Sequence, residues 1–432
     1  MNSKASQFPK DWNIQEIKDS DIQIIDGDRG KNYPKKSEFS ESGFCLFLNT
    51  GNIQDDKFVF NNCDFISENK DHQLRKGKLQ RDDIVLTTRG TVGSLAYYHH
   101  GITIENIRIN SGMIILRSGR EINAKFLYQL LKSRIMKEQY MLYSSGSAQP
   151  QLPIRDFNRI KVLLPPLTQQ QQIAAILTAY DDLIETNNQR IATLEQLAQQ
   201  IYKEWFVRMR FPGWEHTSFH HGIPEGWYFG VASEFFKVVK GKSYKSDELT
   251  ENVESMPFIT LKSFNRGGGY REDGLKYYSG RYNKEQVVYK NDVVMAVTDM
   301  TQDRVVVGRV ARVPDFGSKG AVISLDVIKL VPYAITKSFL YSFMRLSGFG
   351  DYIKEFANGA NVLHLKPDLV AKQKVMIPPN ALQEKFSNLV EPIYEQMDAL
   401  SKMNANAMLT RNLLLPRLIS GKLTLKQAHA GL

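Results

Sequence analysis

The strongest constraint on this chain is that most of it is written twice. "FLYQLL" at residues 126–131 returns as "FLYSFM" at 339–344, 213 positions later. At the same offset, "SGSAQPQL" (145–152) corresponds to "NGANVLHL" (358–365), and "VLLPP" (162–166) to "VMIPP" (375–379). "RDDIVLTT" (81–88) resembles "KNDVVMAV" (290–297) at an offset of 209, and "FPKDW" (8–12) resembles "IPEGW" (223–227) at 215. Matches in one order with small drifts in offset are the mark of a tandem duplication with loop insertions. At 432 residues the chain also exceeds what one core ordinarily serves.

Each half reads as a mixed α+β domain followed by a long helix. The expected organisation is a first domain at 1–166, a long helix at 167–206, a linker at 207–223, a second domain at 224–379, a second long helix at 380–420 and a tail at 421–432. Short β-rich runs such as "FCLFLNT", "GMIILR", "PFITL" and "AVISLDVIKLV" alternate with Gly, Asn and Asp turns, as in twisted antiparallel or mixed sheets. One amphipathic helix is expected in each domain, over 124–143 and 336–356.

The long helices carry a heptad seam. Thr168 and Gln171 have capping-box spacing after Pro165–Pro166. Ile173, Leu177, Tyr180, Ile184, Asn187, Ile191, Leu194, Ala198, Ile201 and Trp205 then fall in steps of four and three. The second seam is weaker, and Pro392 and Pro416 are expected to interrupt it. An antiparallel pairing with matched ends sets Tyr180 against Arg411, Ile184 against Ala407, Ile191 against Leu400 and Leu194 against Met397. It also brings Asn187 opposite Asn404, a pair that can satisfy itself by hydrogen bonding and fix register. Ile176, Leu183 and Leu197 widen the stripe, so each helix is expected to touch its own domain too.

Lys plus Arg is 56 against 46 for Asp plus Glu, a net charge of +10 that suits a polyanionic partner. No apolar run approaches the ~18 residues of a membrane span, so no membrane partner is expected. The opening "MNSKASQFPKDW" is polar without an apolar h-region, and two cysteines, Cys45 and Cys63, form no CxxC pair; a cytoplasmic setting is expected.

No catalytic constellation emerges. "GKS" at 241–243 ends like a P-loop, but Phe236 stands where its first glycine belongs. "GGG" at 267–269 lacks dinucleotide-binding spacing. "IPPN" lacks the aromatic residue that amino-methyltransferase signatures place after Pro-Pro, and Asp315, Asp326 and Lys329 miss a nuclease spacing by one residue. His99–His100 and His220–His221 are sequence neighbours that do not converge on one metal. The expectation is a chain that binds and does not catalyse, with no metal and no cofactor of its own.

Binding signals are stronger. "DGDRGKNYPKK" puts Arg29, Lys31, Lys35 and Lys36 on a Gly-containing loop with Tyr33, and "VKGKSYKSDE" offers Lys240, Lys242, Tyr244 and Lys245 at the matching place. Basic residues beside an aromatic suit phosphate contact, although one such loop alone is as well read as a solvated charge run. "TTRGTVG" contributes Thr88, Arg89 and Thr91, and its counterpart "TDMTQDR" Thr298, Gln302 and Arg304. "SSGSAQPQ" adds Ser147, Gln149 and Gln151, and "NGANVLH" adds Asn358, Asn361 and His364. Similar frames carrying different side chains fit two halves that read different bases. For any single residue, plain turn chemistry explains it as well.

Two variable domains, each followed by Pro-Pro and a heptad helix, together with "GDRGKNYP", "TRGTVG", "GSAQPQL" and "LLLPRLISGKL", resemble the DNA specificity (S) subunit of type I restriction–modification enzymes over essentially the whole chain. The resemblance implies two target recognition domains held apart by antiparallel helices, each reading one half of a split double-stranded DNA site. It implies two modification (M) subunits that use S-adenosylmethionine and dock on the helices. It also implies two restriction (R) subunits driven by ATP and Mg. A helix over 168–205 would extend ~57 Å at ~1.5 Å per residue, enough to serve half-sites about one DNA turn, ~34 Å, apart. Two competing readings stay open: a specificity subunit of a related methyltransferase–nuclease fusion system, and a stand-alone DNA-binding scaffold.

Overall fold

The computed structural model describes residues 9, 11–146 and 149–423. Of the expected tail, only 421–423 are therefore described. The chain forms two compact units, one comprising the residues up to Glu185 together with those from Asn406 onward, the other Thr186–Ala405. Each unit thus holds one mixed domain and one stretch of each long helix.

In the first unit, a four-stranded antiparallel sheet runs in the order Ile22–Asp26, Met113–Ser118, Ile84–Thr87, Leu95–Tyr97. Beside it, Cys45–Leu48 pairs antiparallel with Asp64–Ile66 and parallel with Ile107–Ile109. The second unit repeats this plan. Phe236–Lys240, Val327–Pro332, Val293–Ala296 and Val310–Arg312 form its antiparallel sheet. Met256–Ile259 pairs parallel with Ala321–Ile323 in a five-stranded mixed sheet. Central strands such as Ile84–Thr87 and Val293–Ala296 are buried along their whole length, which is why they read as continuous apolar runs. An ion pair under the sheet is also duplicated: Arg117 grips Asp83 at 2.7 and 2.8 Å, and Lys329 meets Asp292 at 2.8 Å.

The single domain helices expected over 124–143 and 336–356 are each broken. Ala124–Lys132 ends at Ser133, which caps the next helix, Arg134–Tyr143, by accepting from Met136 N–H. In the second unit, Lys337–Leu346 stops before Gly348, whose left-handed φ of 83° starts the short helix Phe349–Ile353. The stretch expected as a linker is also structured. It holds a small hairpin, Phe219–His220 with Ile223–Pro224, and Phe211 is buried against Trp227 at 5.8 Å.

The long helices are Leu167–Tyr202 and Asn380–Leu418. Thr168 lies inside the first turn, so the capping role expected for it is not met. A buried glutamine performs the tie instead. Gln170 Oε1 accepts from Asn123 N–H at 2.9 Å and its Nε2 donates to the Pro165 carbonyl at 2.9 Å. Gln383 repeats both bonds with Thr336 N–H (3.0 Å) and the Pro378 carbonyl (2.8 Å). Each long helix is thereby pinned to the cap residue of its own domain helix.

Within the first unit, Ile173, Ala174, Ile176 and Leu177 share a core with Leu418 and Ile419, and Arg411 bonds Asp181. Within the second, Asn187 Nδ2 donates to Asn404 Oδ1 at 2.9 Å, Asn404 donates to Asn188 Oδ1 at 2.9 Å, and Trp205 packs on Phe386 at 5.8 Å. Rising numbers on one helix meet falling numbers on the other, so the pair runs antiparallel in both units. Two expectations are corrected here. The second helix continues through Pro392 and Pro416. Each proline forfeits the bond to the carbonyl four residues earlier and its ring crowds that carbonyl, but buried Phe386, Val390 and Tyr394 hold the helix around Pro392. The widened stripe is buried only in part: Ile176 joins the core of the first domain, while Leu183 and Leu197 are 40% and 45% exposed.

Candidate nucleic-acid interface

In the first unit, the turn at 110–112 gathers the candidate loops. Arg29 Nη2 donates to the Ser111 carbonyl (3.3 Å) and to Asp26 (3.2 Å), and Thr88 N–H donates to the Gly112 carbonyl (2.8 Å). Arg89 faces Gln151 across an isolated antiparallel bridge, and Gln151 is also bridged to Ser145. Leu152 N–H donates to the Thr88 carbonyl at 2.9 Å. A cleft of about 180 Å³ lies among Arg29, Thr88, Arg89, Gln151 and Leu152–Ile154. A larger one, about 400 Å³, is lined by Asp26–Asn32 with Arg75 and Lys76.

The second cleft brings in Arg75 and Lys76, which sequence reading passed over although "LRKGK" is a visibly basic run. Asp28 recruits them: its carboxylate accepts from Gly30 N–H and Arg75 N–H, both at 2.8 Å. Burial works against this charge, yet backbone N–H groups of Gly30, Arg75, Lys76 and Arg29 hold its carboxyl below the usual range. Arg108 secures the same segment. It bonds Asp71 Oδ1 (2.5 Å) and the carbonyls of Asp71, Leu74 and Lys76.

Other candidates are placed differently. Tyr33 packs edge-on against Phe47 at 5.6 Å, and Tyr244 against Phe258 at 5.0 Å, so both rings serve the core of their loops. Lys35 N–H is capped by Glu38, and Lys245 N–H by Glu248; these lysines and Lys36 are exposed beyond the turn. Thr88 is buried, its hydroxyl bonded to the Gly112 carbonyl at 3.0 Å. Thr91 is exposed, and its carbonyl accepts from the Thr87 hydroxyl. Gln149 is exposed, and Ser147 lies outside the described residues.

The second unit builds the same frame with other side chains. Thr298–Asp299 pairs with Leu363–His364, and His364 is bridged to Asn358 as Gln151 is to Ser145. Leu365 N–H donates to the Val297 carbonyl, the counterpart of Leu152 and Thr88. Lys242 and Val297 are tied to the turn at 323–326. Lys240 is ion-paired with Asp368 at 3.5 Å. Asp299 is buried and receives N–H bonds from Thr301, Val306 and Val307; burial opposes its charge, but these bonds keep its carboxyl below the usual range. Gln302 donates to the Ala360 carbonyl at 3.0 Å, Arg304 pairs with Glu355, and Asn358 donates to the Phe356 carbonyl. Asn361 is exposed.

Among the described residues, no group of His, Cys, Asp or Glu could hold a metal ion, and no helix is long and apolar enough to cross a membrane. Burial pushes the Cys45 thiol up to about 12, so it stays a protonated core group.

A family model described as the type I restriction modification DNA specificity domain matches the chain twice, over residues 9–196 and 224–411. The chain is similar to the MjaIX specificity subunit of Methanocaldococcus jannaschii, at 24% identity covering 98% of this chain and 95% of that one. It is similar to the HindI specificity subunit of Haemophilus influenzae at 21% identity, covering 92% and 98%. Its fold resembles the crystal structure of the S subunit from M. genitalium, with a TM-score of 0.60 at 16% identity over 94% of this chain and 96% of that one.

Proposed function

We propose, given that this chain belongs to the type I restriction–modification DNA specificity family and is a non-catalytic specificity subunit of such a system, that its two units read the two parts of one split, asymmetric double-stranded DNA site. The observation that carries this reading is the duplicated loop frame. In each unit, a polar bridge beside a basic loop is built from the same backbone bonds but carries different side chains. Matched frames give two readers of one polymer; unlike side chains make the target asymmetric. Lys31, Arg75 and Lys76 supply sequence-independent phosphate contact, which makes binding salt-dependent.

The long helices take two further roles in this reading. They set the spacer between half-sites, the first being 36 residues and so ~54 Å long. They also dock two methyltransferase (M) subunits. Support for docking comes from their large exposed apolar residues: Leu183, Leu409 and Leu413 in the first unit, Leu197, Leu389 and Met403 in the second. Two restriction (R) subunits complete the assembly. S-adenosylmethionine, ATP and Mg belong to those partners, and the complex works in the cytoplasm. Methylation-sensitive sequencing of the host genome, with and without this chain, tests the reading. A bipartite motif methylated only in its presence is expected; an unchanged methylome overturns it.

A further inference from the structure

The loops of both units hold many polar residues, but most of these are already engaged. Arg29 is held by Asp26 and Ser111, Thr88 by Gly112, Gln302 by Ala360 and Arg304 by Glu355. Arg89 and Gln151 differ. Both are exposed, and neither side chain makes a hydrogen bond or ion pair to the described residues. They stand directly opposite each other on an antiparallel bridge. Residues so placed project to one face with Cβ atoms ~4.5–5.5 Å apart, close enough to meet the same or adjacent base pairs. The bridge is anchored on both sides, by Thr88 N–H to Gly112 and by Leu152 N–H to Thr88. Its direction is therefore fixed before any ligand arrives.

The same position in the second unit is the Thr298–His364 pair. Thr298 is buried, and its hydroxyl lies 3.2 Å from His364 Nδ1. That contact occupies one ring nitrogen and leaves Nε2 of the exposed His364 for an outside partner. One unit thus presents a guanidinium and an amide, the other a single oriented imidazole.

Resting on the reading above, we propose that the Arg89–Gln151 bridge and the Thr298–His364 bridge are the base-discriminating elements of the two units. Arg89 contacts guanine through O6 and N7, and Gln151 contacts an adenine through N6 and N7, the pairings that bidentate geometry favours in the major groove. His364 gives one hydrogen bond in the other half-site, and Thr298 acts as a positioning residue that holds its ring.

The test uses the full complex with its methyltransferase partners. Methylated sites are sequenced and salt-dependent DNA binding is measured for the parent, R89A, R89K, Q151A and H364A. R89A should make one G·C position of one half-site degenerate, with discrimination there falling about 5- to 150-fold. The other half-site should be unchanged. R89K keeps the charge without the fork, so it should lose the same discrimination while keeping overall affinity; it also serves if R89A folds poorly. Q151A should relax an A·T position in the same half-site, and H364A a position in the other half-site only. Uniform weakening across all sequences, with the salt slope reduced by about one, would make Arg89 a phosphate contact and overturn the proposal. Unchanged specificity in all four variants would overturn it too. A parent complex that marks no bipartite site would instead defeat the functional reading itself.

Discussion

At the scale of single residues, the same chemistry does different work depending on what surrounds it. Arg108 and Asp71 are both nearly fully buried, and Lys78 adds a second contact to the carboxylate at 2.6 Å. Removing Arg108 leaves the buried carboxylate with Lys78 as its remaining charged partner and takes a donor from three carbonyls, so R108A should cost about 3 kcal/mol, the low end for a broken buried pair. It should also loosen the segment carrying Arg75 and Lys76 to the cleft. Differential scanning fluorimetry reads the first effect and the salt dependence of DNA binding the second. Burial alone would raise the Asp71 carboxyl, but hydrogen bonds from Lys78 and Arg108 outweigh it and hold the group low. A depressed folded value adds stability above the unfolded carboxylate range, near pH ~4, and that stability is lost as pH falls through the folded value. Acid melts should therefore show a steeper loss of stability below about pH 4 in the parent than in D71N. Gln170 is neutral and equally committed. Q170A strips three bonds and leaves Asn123 N–H and the Glu121 and Pro165 carbonyls without that partner, so a loss of ~1–3 kcal/mol is expected in chemical denaturation.

Elements add a second level, and the paired helices show it best. Asn187 and Asn404 place amides at apolar seam positions, where Asn187 donates to Asn404 and Asn404 in turn donates to Asn188. N187A alone leaves Asn404 Oδ1 short of its donor and should destabilise by ~1–3 kcal/mol. Replacing both by leucine should hold or raise the melting temperature while loosening register. Hydrogen exchange along the two helices would read that loosening as faster exchange despite equal or higher stability; unaltered exchange would count against a register role. The heptad steps were legible because the 3.5-residue repeat runs for several turns. Helix ends were not. The breaks at Ser133 and Gly348 depend on a local capping bond and a left-handed backbone, which periodicity does not encode. Nor does a proline in a sequence say whether buried neighbours on both sides will hold the helix through it.

For the whole molecule, the prediction concerns distance. Inserting one heptad near Ile191 with a matching one near Leu400 keeps the seam in phase and lengthens each helix by ~10.5 Å. The preferred spacer should grow while both half-site sequences stay as they were. Sequencing the methylated sites decides it, and altered half-sites would sink the idea of the helices as a ruler.

The amino-acid sequence by itself determined the duplication, the α+β class of each half and the antiparallel helix pairing, since these rest on order, period and residue type. It also named the loops that carry the polar bridges. It could not say which members of those loops stay available. Thr88 and Arg89 are neighbours, yet one is bonded inside and the other is exposed. Tyr33 and Tyr244 read, with the basic loops, as suited to phosphate contact, but their rings pack on Phe47 and Phe258. Arg75 and Lys76 joined the cleft only because Asp28 reaches across 47 positions to their backbone. Availability is a property of neighbours distant in sequence: a donor bonded within the fold has nothing left to offer a ligand, and only the tertiary structure decides which donors those are.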